Sequence, residues 1–128
     1  MLPRADRLRH MKDFALLSQK GRVVFHPLFT LRFRPNGGQT KIGFVASNKL
    51  FRRANKRNRA KRRMRAVLAE LRAKWPASLD LLFMLKPEVL DAEYPALIAG
   101  AERVFEKIPE AMLHPPKQKP PRARRKTS

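Results

Sequence analysis

The sequence lacks cysteine, long apolar runs and, over nearly half its length, acidic residues. With no cysteine among 128 residues, disulfides, thiol nucleophiles and cysteine-containing zinc sites are excluded. No stretch approaches the roughly 20 apolar residues of a membrane span, and residues 1–13 lack the apolar core of a signal peptide. These absences predict a cytoplasmic protein without a membrane partner.

Acidic residues are missing from one long segment. Between Phe14 and Ala69 there are fifteen Lys and Arg but no Asp or Glu, within a chain whose formal charge is +20. Residues 70–114 are mildly acidic, and residues 115–128 add six more bases. A solvated surface usually mixes both signs, whereas clustered cations attract a polyanion and release its counterions. The charge distribution therefore predicts a nucleic-acid partner.

Alternation of apolar and polar residues predicts a small sheet. Residues 29–34 and 42–46 alternate with period two, and the turn-forming residues 35–38 between them predict an antiparallel hairpin. Residues 23–26 are a candidate for a further short strand. Residues 79–85 are almost continuously apolar, which predicts a strand buried on both faces in the middle of the sheet.

Helical periodicity predicts three helices around that sheet. The longest runs from about 52 to 75, where one apolar stripe recurs until Pro76 ends it; its members are Ala60, Met64, Val67, Leu68, Leu71 and Trp75. A first helix is predicted over 11–19, and a last helix with Asp91 as its N-cap. The order helix, two or three strands, long helix, strand, helix predicts an α+β two-layer sandwich in one domain over 1–109. Residues 110–128 are basic and proline-rich, which predicts a disordered tail.

The long helix is cationic on one side. Nine bases lie between Arg52 and Arg65, and a helical projection places Asn58, Arg59, Arg62 and Arg65 opposite the apolar stripe. Arg57 projects toward the apolar side, where its charge needs a partner or an opening to solvent. Because arginine forms bidentate contacts to phosphate and stacks on bases, the arginine-rich face favours a folded RNA; no DNA partner is expected.

Candidates for chemistry are few. The basic half has no carboxylates with which a metal-dependent nuclease would hold its ions. Glu88, Asp91 and Glu93 are explained by their position at the start of a helix. The three histidines show neither metal-ligand nor catalytic spacing. The residues therefore indicate an RNA-binding protein without a catalytic or metal site of its own.

Residues 41–65 resemble the signature of the protein subunit of bacterial ribonuclease P. In that family, a strand ending in two lysines leads into a helix with the pattern Arg-Asn-Arg-x-Lys-Arg-x-x-Arg, matched here by Arg57, Asn58, Arg59, Lys61, Arg62 and Arg65. Asn48 replaces the first lysine and leaves Lys49 for that contact. Arg7-Leu-Arg, Asp13-Phe14, Gly21 and the apolar run before Lys86 extend the likeness over about 4–108.

The resemblance implies a small α/β sandwich with a left-handed β-α-β crossover carrying the basic helix. It implies a subunit that binds the catalytic RNA and helps it remove the 5′ leader from precursor tRNA. Hydrolysis would belong to the RNA and its Mg²⁺, with no cofactor bound by the protein. The implied RNA-binding residues are Lys49, Arg52, Arg53, Lys56, Arg57, Asn58, Arg59, Lys61, Arg62 and Arg65.

The resemblance also implies a cleft between the first helix and the sheet that holds the single-stranded leader. Phe14 and Arg32 are the residues implied there, and Ser18 and Arg32 stand where some relatives have aromatic residues. Two alternatives explain the composition without this role. A basic ribosomal protein would share the size and charge, and an independent nuclease would need an acidic or histidine-based site.

Overall fold

The computed structural model describes Leu17 and residues 21–113. Leu17 is helical, and the remainder of the helix predicted over 11–19, with Phe14 and Ser18, lies outside the described residues, as do residues 114–128. The strands are β1 (Arg22–Phe25), β2 (Phe29–Pro35), β3 (Lys41–Val45) and β4 (Leu79–Leu85). The helices are α1 (Ala54–Glu70), α2 (Glu88–Asp91) and α3 (Tyr94–Met112), with a 3-10 turn over Arg72–Lys74.

The four strands form one sheet in the order β1-β2-β4-β3. β1 and β2 are antiparallel, β2 and β4 are antiparallel, and β3 runs parallel to β4. Nearly every residue of β4 is buried, which confirms the prediction of a central strand enclosed on both faces. The α+β two-layer architecture is confirmed as well.

The predicted hairpin between β2 and β3 is wrong, because β4 lies between them. The turn after β2 instead passes the beginning of β4, where the Asn36 N–H donates to the Ser78 carbonyl at 3.0 Å. At the end of that turn, the buried Thr40 hydroxyl donates to the Pro76 carbonyl at 2.6 Å and accepts the Leu79 N–H at 3.2 Å. The period-two pattern reports which face of a strand is buried, not which strand is its neighbour.

α1 connects the parallel strands β3 and β4, so the predicted β-α-β crossover is present, while its handedness stays a prediction. The predicted apolar stripe is buried on α1 against the helix-covered face of the sheet at Ala60, Met64, Val67 and Leu68. The helix ends at Glu70 and not at Pro76, so Leu71 and the partly buried Trp75 follow it. There the Phe29 and Phe83 rings meet edge to face, with centroids 5.3 Å apart. The opposite face, here called the open face, carries Leu82 with the partly buried Val45 and Met84, and Leu17 packs on them.

The last helix begins differently from its prediction. Asp91 is not its N-cap but the final residue of α2, and α3 starts after Glu93 with Pro95 in its first turn. Proline suits that position because first-turn N–H groups have no partner within the helix. α3 then continues through Pro109 to Met112, past the domain end assigned at 109. None of the helices in the described part of the chain combines the length and the hydropathy of a membrane span.

Candidate RNA interface

The cationic surface of α1 begins in the turn that precedes it. Lys49 is exposed in that turn, and the cations that follow extend from the N-cap along the outer side of the helix. Most of the predicted RNA-binding residues are exposed, namely Arg52, Arg53, Lys56, Asn58, Arg59 and Arg62, while Arg57, Lys61 and Arg65 are half-buried. The structure therefore exposes six of these residues and Lys49 along α1 and the turn before it, while Arg57 is turned inward.

The start of α1 concentrates positive charge where a helix is least able to accept it. Arg53 is the N-cap residue, and the first turn contains no acidic side chain. A helix N-terminus carries a partial positive charge, so Arg52, Arg53 and Lys56 repel both one another and the helix dipole. An anion bound at this end would relieve that repulsion and accept hydrogen bonds from the first-turn N–H groups.

Two arginines of α1 are held by the protein itself. The guanidinium of Arg57 donates to the Phe51 carbonyl at 2.8 Å, which supplies the partner that its inward position requires. Arg63 donates to the carbonyls of Val89 and Leu90, at 2.6 and 3.1 Å, and so joins α1 to α2. The outward arginines therefore differ in role from Arg63, although all lie on the same helix.

A cleft of about 290 Å³ lies on the open face of the sheet. Its floor follows one row of neighbouring strand positions, in which Phe25 pairs with Thr30, Thr30 with Met84, and Met84 with Val45. The described residues that line it are Phe25, Thr30, Arg32, Val45, Ser47, Leu50, Met84, Leu85 and Lys86. One end lies at β1 and the other at the turn before α1, so the cleft adjoins the cationic surface of that helix.

Two of the described cations, Arg32 and Lys86, line this cleft. Arg32 donates to the Gly21 carbonyl at 3.1 Å, and burial lowers its pKa, although arginine remains charged at neutral pH. The Lys86 ammonium donates to the His26 carbonyl at 3.1 Å. Arg32 therefore lines this cleft, while its contact with the leader stays a prediction. Phe14, the second implied residue, lies outside the described residues.

The carboxylate of Asp80 contributes no open negative charge to this face. Asp80 is only 4% exposed, and it accepts hydrogen bonds from Arg34 Nε at 3.1 Å and Asn36 Nδ2 at 2.8 Å. These contacts link β4 to β2 and to the turn that follows β2. The carboxylate therefore serves the contacts between strands and is not among the residues that line the cleft.

Sequence reasoning missed Phe25, Leu50 and Lys86 as cleft residues. Phe25 was detectable in part, because it alternates with the buried Val24 and so has to lie on the other face of β1. The position of Lys86 beside the end of β1 depends on the pairing of β2 with β4, which local patterns do not reveal. Within the described residues, no three histidine or carboxylate side chains are grouped so that they could hold a metal ion.

Comparison with known proteins identifies the family of this chain. The model of the ribonuclease P family matches residues 2–109, which include every strand, α1 and the cleft. The chain belongs to the ribonuclease P protein family. A ribonuclease P protein component from Synechococcus sp. is 33% identical over 112 residues and is covered over 84% of both chains. One from Chloroflexus aurantiacus is 36% identical over 96 residues, covering 73% of this chain and 70% of the relative.

Solved structures of ribonuclease P proteins have the same fold. The protein from Thermotoga maritima matches with a TM-score of 0.72 and 23% identity, covering 80% of this chain and 96% of that protein. The Staphylococcus aureus protein matches with a TM-score of 0.68 and 22% identity, over 80% and 94% of the two chains. The α+β sandwich is therefore the fold of this ribonuclease P family.

Proposed function

We propose that this ribonuclease P protein is the accessory subunit of a cytoplasmic ribonucleoprotein that removes the 5′ leader from precursor tRNA. Family membership supports the assignment to ribonuclease P. The observation that carries the division of roles is the position of the cleft, which opens beside the cationic surface of α1. One protein can then contact two RNA segments at once.

The outer side of α1 binds the catalytic RNA. Its arginines project away from the core, so phosphate contacts require no rearrangement of the packed face. Lys49 and the first turn add cations and backbone N–H groups at one end. The partner is a folded RNA because guanidinium groups at successive turns match phosphates displayed along a rigid surface.

The cleft holds the single-stranded leader. Arg32 and Lys86 neutralise leader phosphates, while Thr30, Met84 and Val45 form a mostly apolar floor for the bases. Mature tRNA has no leader and gains nothing from this surface. The protein therefore favours precursor over product and positions the leader near the RNA that cleaves it.

Hydrolysis is assigned to the RNA subunit and its Mg²⁺. The acid-free segment 14–69 supplies cations rather than the carboxylates with which proteins hold catalytic magnesium. The chain's own contribution is binding energy and charge screening. Its effect should be largest at low Mg²⁺, where phosphates of the two RNAs repel one another most strongly.

A reconstitution experiment tests this function. Precursor tRNA is incubated at low Mg²⁺ with the protein alone, with a bacterial ribonuclease P RNA alone, and with both. We expect accurate leader removal with both components, little with the RNA alone and none with the protein alone. Cleavage by the protein alone, or RNA activity unchanged by the protein, would contradict the proposal.

A further inference from the structure

Phe25 is an aromatic side chain on the surface, at the end of a rigid strand. It is 65% exposed, although it is the last residue of β1, whose preceding residue Val24 is buried in the core. Most of its apolar area therefore contributes nothing to folding by burial. Its ring lies at the rim of the cleft, on the open face of the sheet.

Three contacts hold the backbone at and just after Phe25. Phe25 pairs with Thr30 in the sheet. The following residue, His26, stacks on Phe29 with ring centroids 5.0 Å apart, and its Nδ1 accepts the Leu28 N–H at 3.1 Å. A ligand that covers the Phe25 ring would therefore pay little conformational entropy for ordering the protein.

A cation is held in the same cleft by the residue that follows Phe25. Lys86 Nζ donates to the carbonyl of His26, the residue that directly follows Phe25, and both Lys86 and Phe25 line the cleft. An exposed ring and an ammonium group in one cleft are the combination with which proteins bind single-stranded nucleic acids, through base stacking and phosphate contact. The apolar floor then continues from Phe25 across the sheet toward α1.

We propose that Phe25 is a stacking platform for one leader base and that Lys86 contacts a phosphate next to that base. This inference rests on the proposed leader-binding role of the cleft and narrows it to one nucleotide position at the β1 end. The platform recognises the presence of an unpaired base more than its identity, because every base offers a flat face. It therefore strengthens precursor binding without a strict leader sequence.

The test is a cycle that combines protein variants with precursor tRNAs in which each leader base in turn is replaced by an abasic residue. Affinities are measured for the reconstituted holoenzyme containing wild type, F25L, F25Y, K86Q or R32Q, with mature tRNA as reference. Leu50→Ala is the matched control, because Leu50 is an exposed apolar residue, 53% exposed, at the other end of the same cleft.

We expect F25L to weaken precursor binding by about tenfold and F25Y to retain the affinity, with mature tRNA unaffected. At one leader position, the abasic residue should weaken precursor binding by the wild-type holoenzyme by a similar factor. The same abasic residue should not weaken binding by the F25L holoenzyme any further, which is the signature of a direct contact. Leu50→Ala should show no such coupling at that position.

Three outcomes would overturn the inference. If K86Q and R32Q reduce precursor preference but F25L does not, the cleft holds the leader by charge and the platform is wrong. If none of these variants changes the preference, the proposed leader-binding role fails as well. If F25L weakens both tRNAs equally and lowers the melting temperature of the protein, Phe25 is a packing residue.

Discussion

The outward arginines of α1 allow the RNA interface to be tested without disturbing the fold. Replacing Arg59, Arg62 and Arg65 together by alanine removes three charges from the side of the helix opposite its buried stripe. Alanine has the highest helix propensity, so the helix itself should persist. The variant separates binding from stability.

The expected loss follows from counterion release. Each phosphate contact contributes about 0.7 to 0.9 to the magnitude of the slope of log K against log salt, so three contacts contribute about 2.1 to 2.7. At roughly 0.1 M salt this corresponds to about a 100- to 500-fold weaker association with the catalytic RNA, and the difference should vanish near 1 M. Filter binding over a salt series measures both quantities.

Arg63→Gln is the matched control for this triple variant. It removes a charge from the same helix, but Arg63 donates to the carbonyls of Val89 and Leu90. Its loss should reduce the free energy of unfolding by about 2 kcal/mol while changing the salt slope little. A triple variant with unchanged affinity and slope would exclude the outer side of α1 from the interface, and one that no longer unfolds cooperatively would show that those arginines are structural.

Three further predictions concern the fold around the cleft. Asp80→Ala removes the carboxylate that accepts hydrogen bonds from both Arg34 and Asn36. Because Arg34 is partly exposed, we expect the free energy of unfolding, measured in urea, to fall by about 2 kcal/mol. An unchanged urea midpoint would refute the stabilising role of this ion pair. Gly100→Ala should lower the melting temperature, although alanine favours a helix more than glycine does, because the new Cβ would lie 2.9 Å from His26 Cε1. A higher melting temperature would show that the His26 ring can move aside. Burial and three nearby cations lower the pKa of His26, so stability should be complete above about pH 6.5 and fall as the pH drops toward the folded-state pKa, a dependence that His26→Gln should reduce in thermal melts at pH 5 and 7.

Local sequence patterns predicted the helices and strands better than they predicted which strands pair. The stripe of α1 and the central position of β4 were readable because both depend on periodicity and burial within one segment. The hairpin between β2 and β3 was predicted wrongly because a turn between two alternating segments favours pairing unless a later strand inserts. Asp91 was misassigned because α2 is a single short turn immediately before α3.

The candidate RNA interface was also predictable from the sequence only in part. The cations of α1 were predictable from one helical projection, and the inward position of Arg57 was confirmed by its hydrogen bond to Phe51. The cleft was less accessible to prediction, since Phe25, Met84 and Val45 come from three strands and become neighbours only through the sheet register. Residues brought together by long-range pairing leave no short motif in the sequence.

The central position of β4 also sets the order in which this protein can be completed during synthesis. β3 emerges from the ribosome before β4 but has no neighbouring strand until β4 arrives, and β2 is likewise bordered on one side only. The cationic α1 lies between β3 and β4 in the chain, so its apolar stripe can reach its native packing only after β4 has completed the sheet. Of the four described strands, a nascent chain that ends before Leu79 can therefore form only the native pair β1 and β2, and the core between the sheet and α1 requires β4.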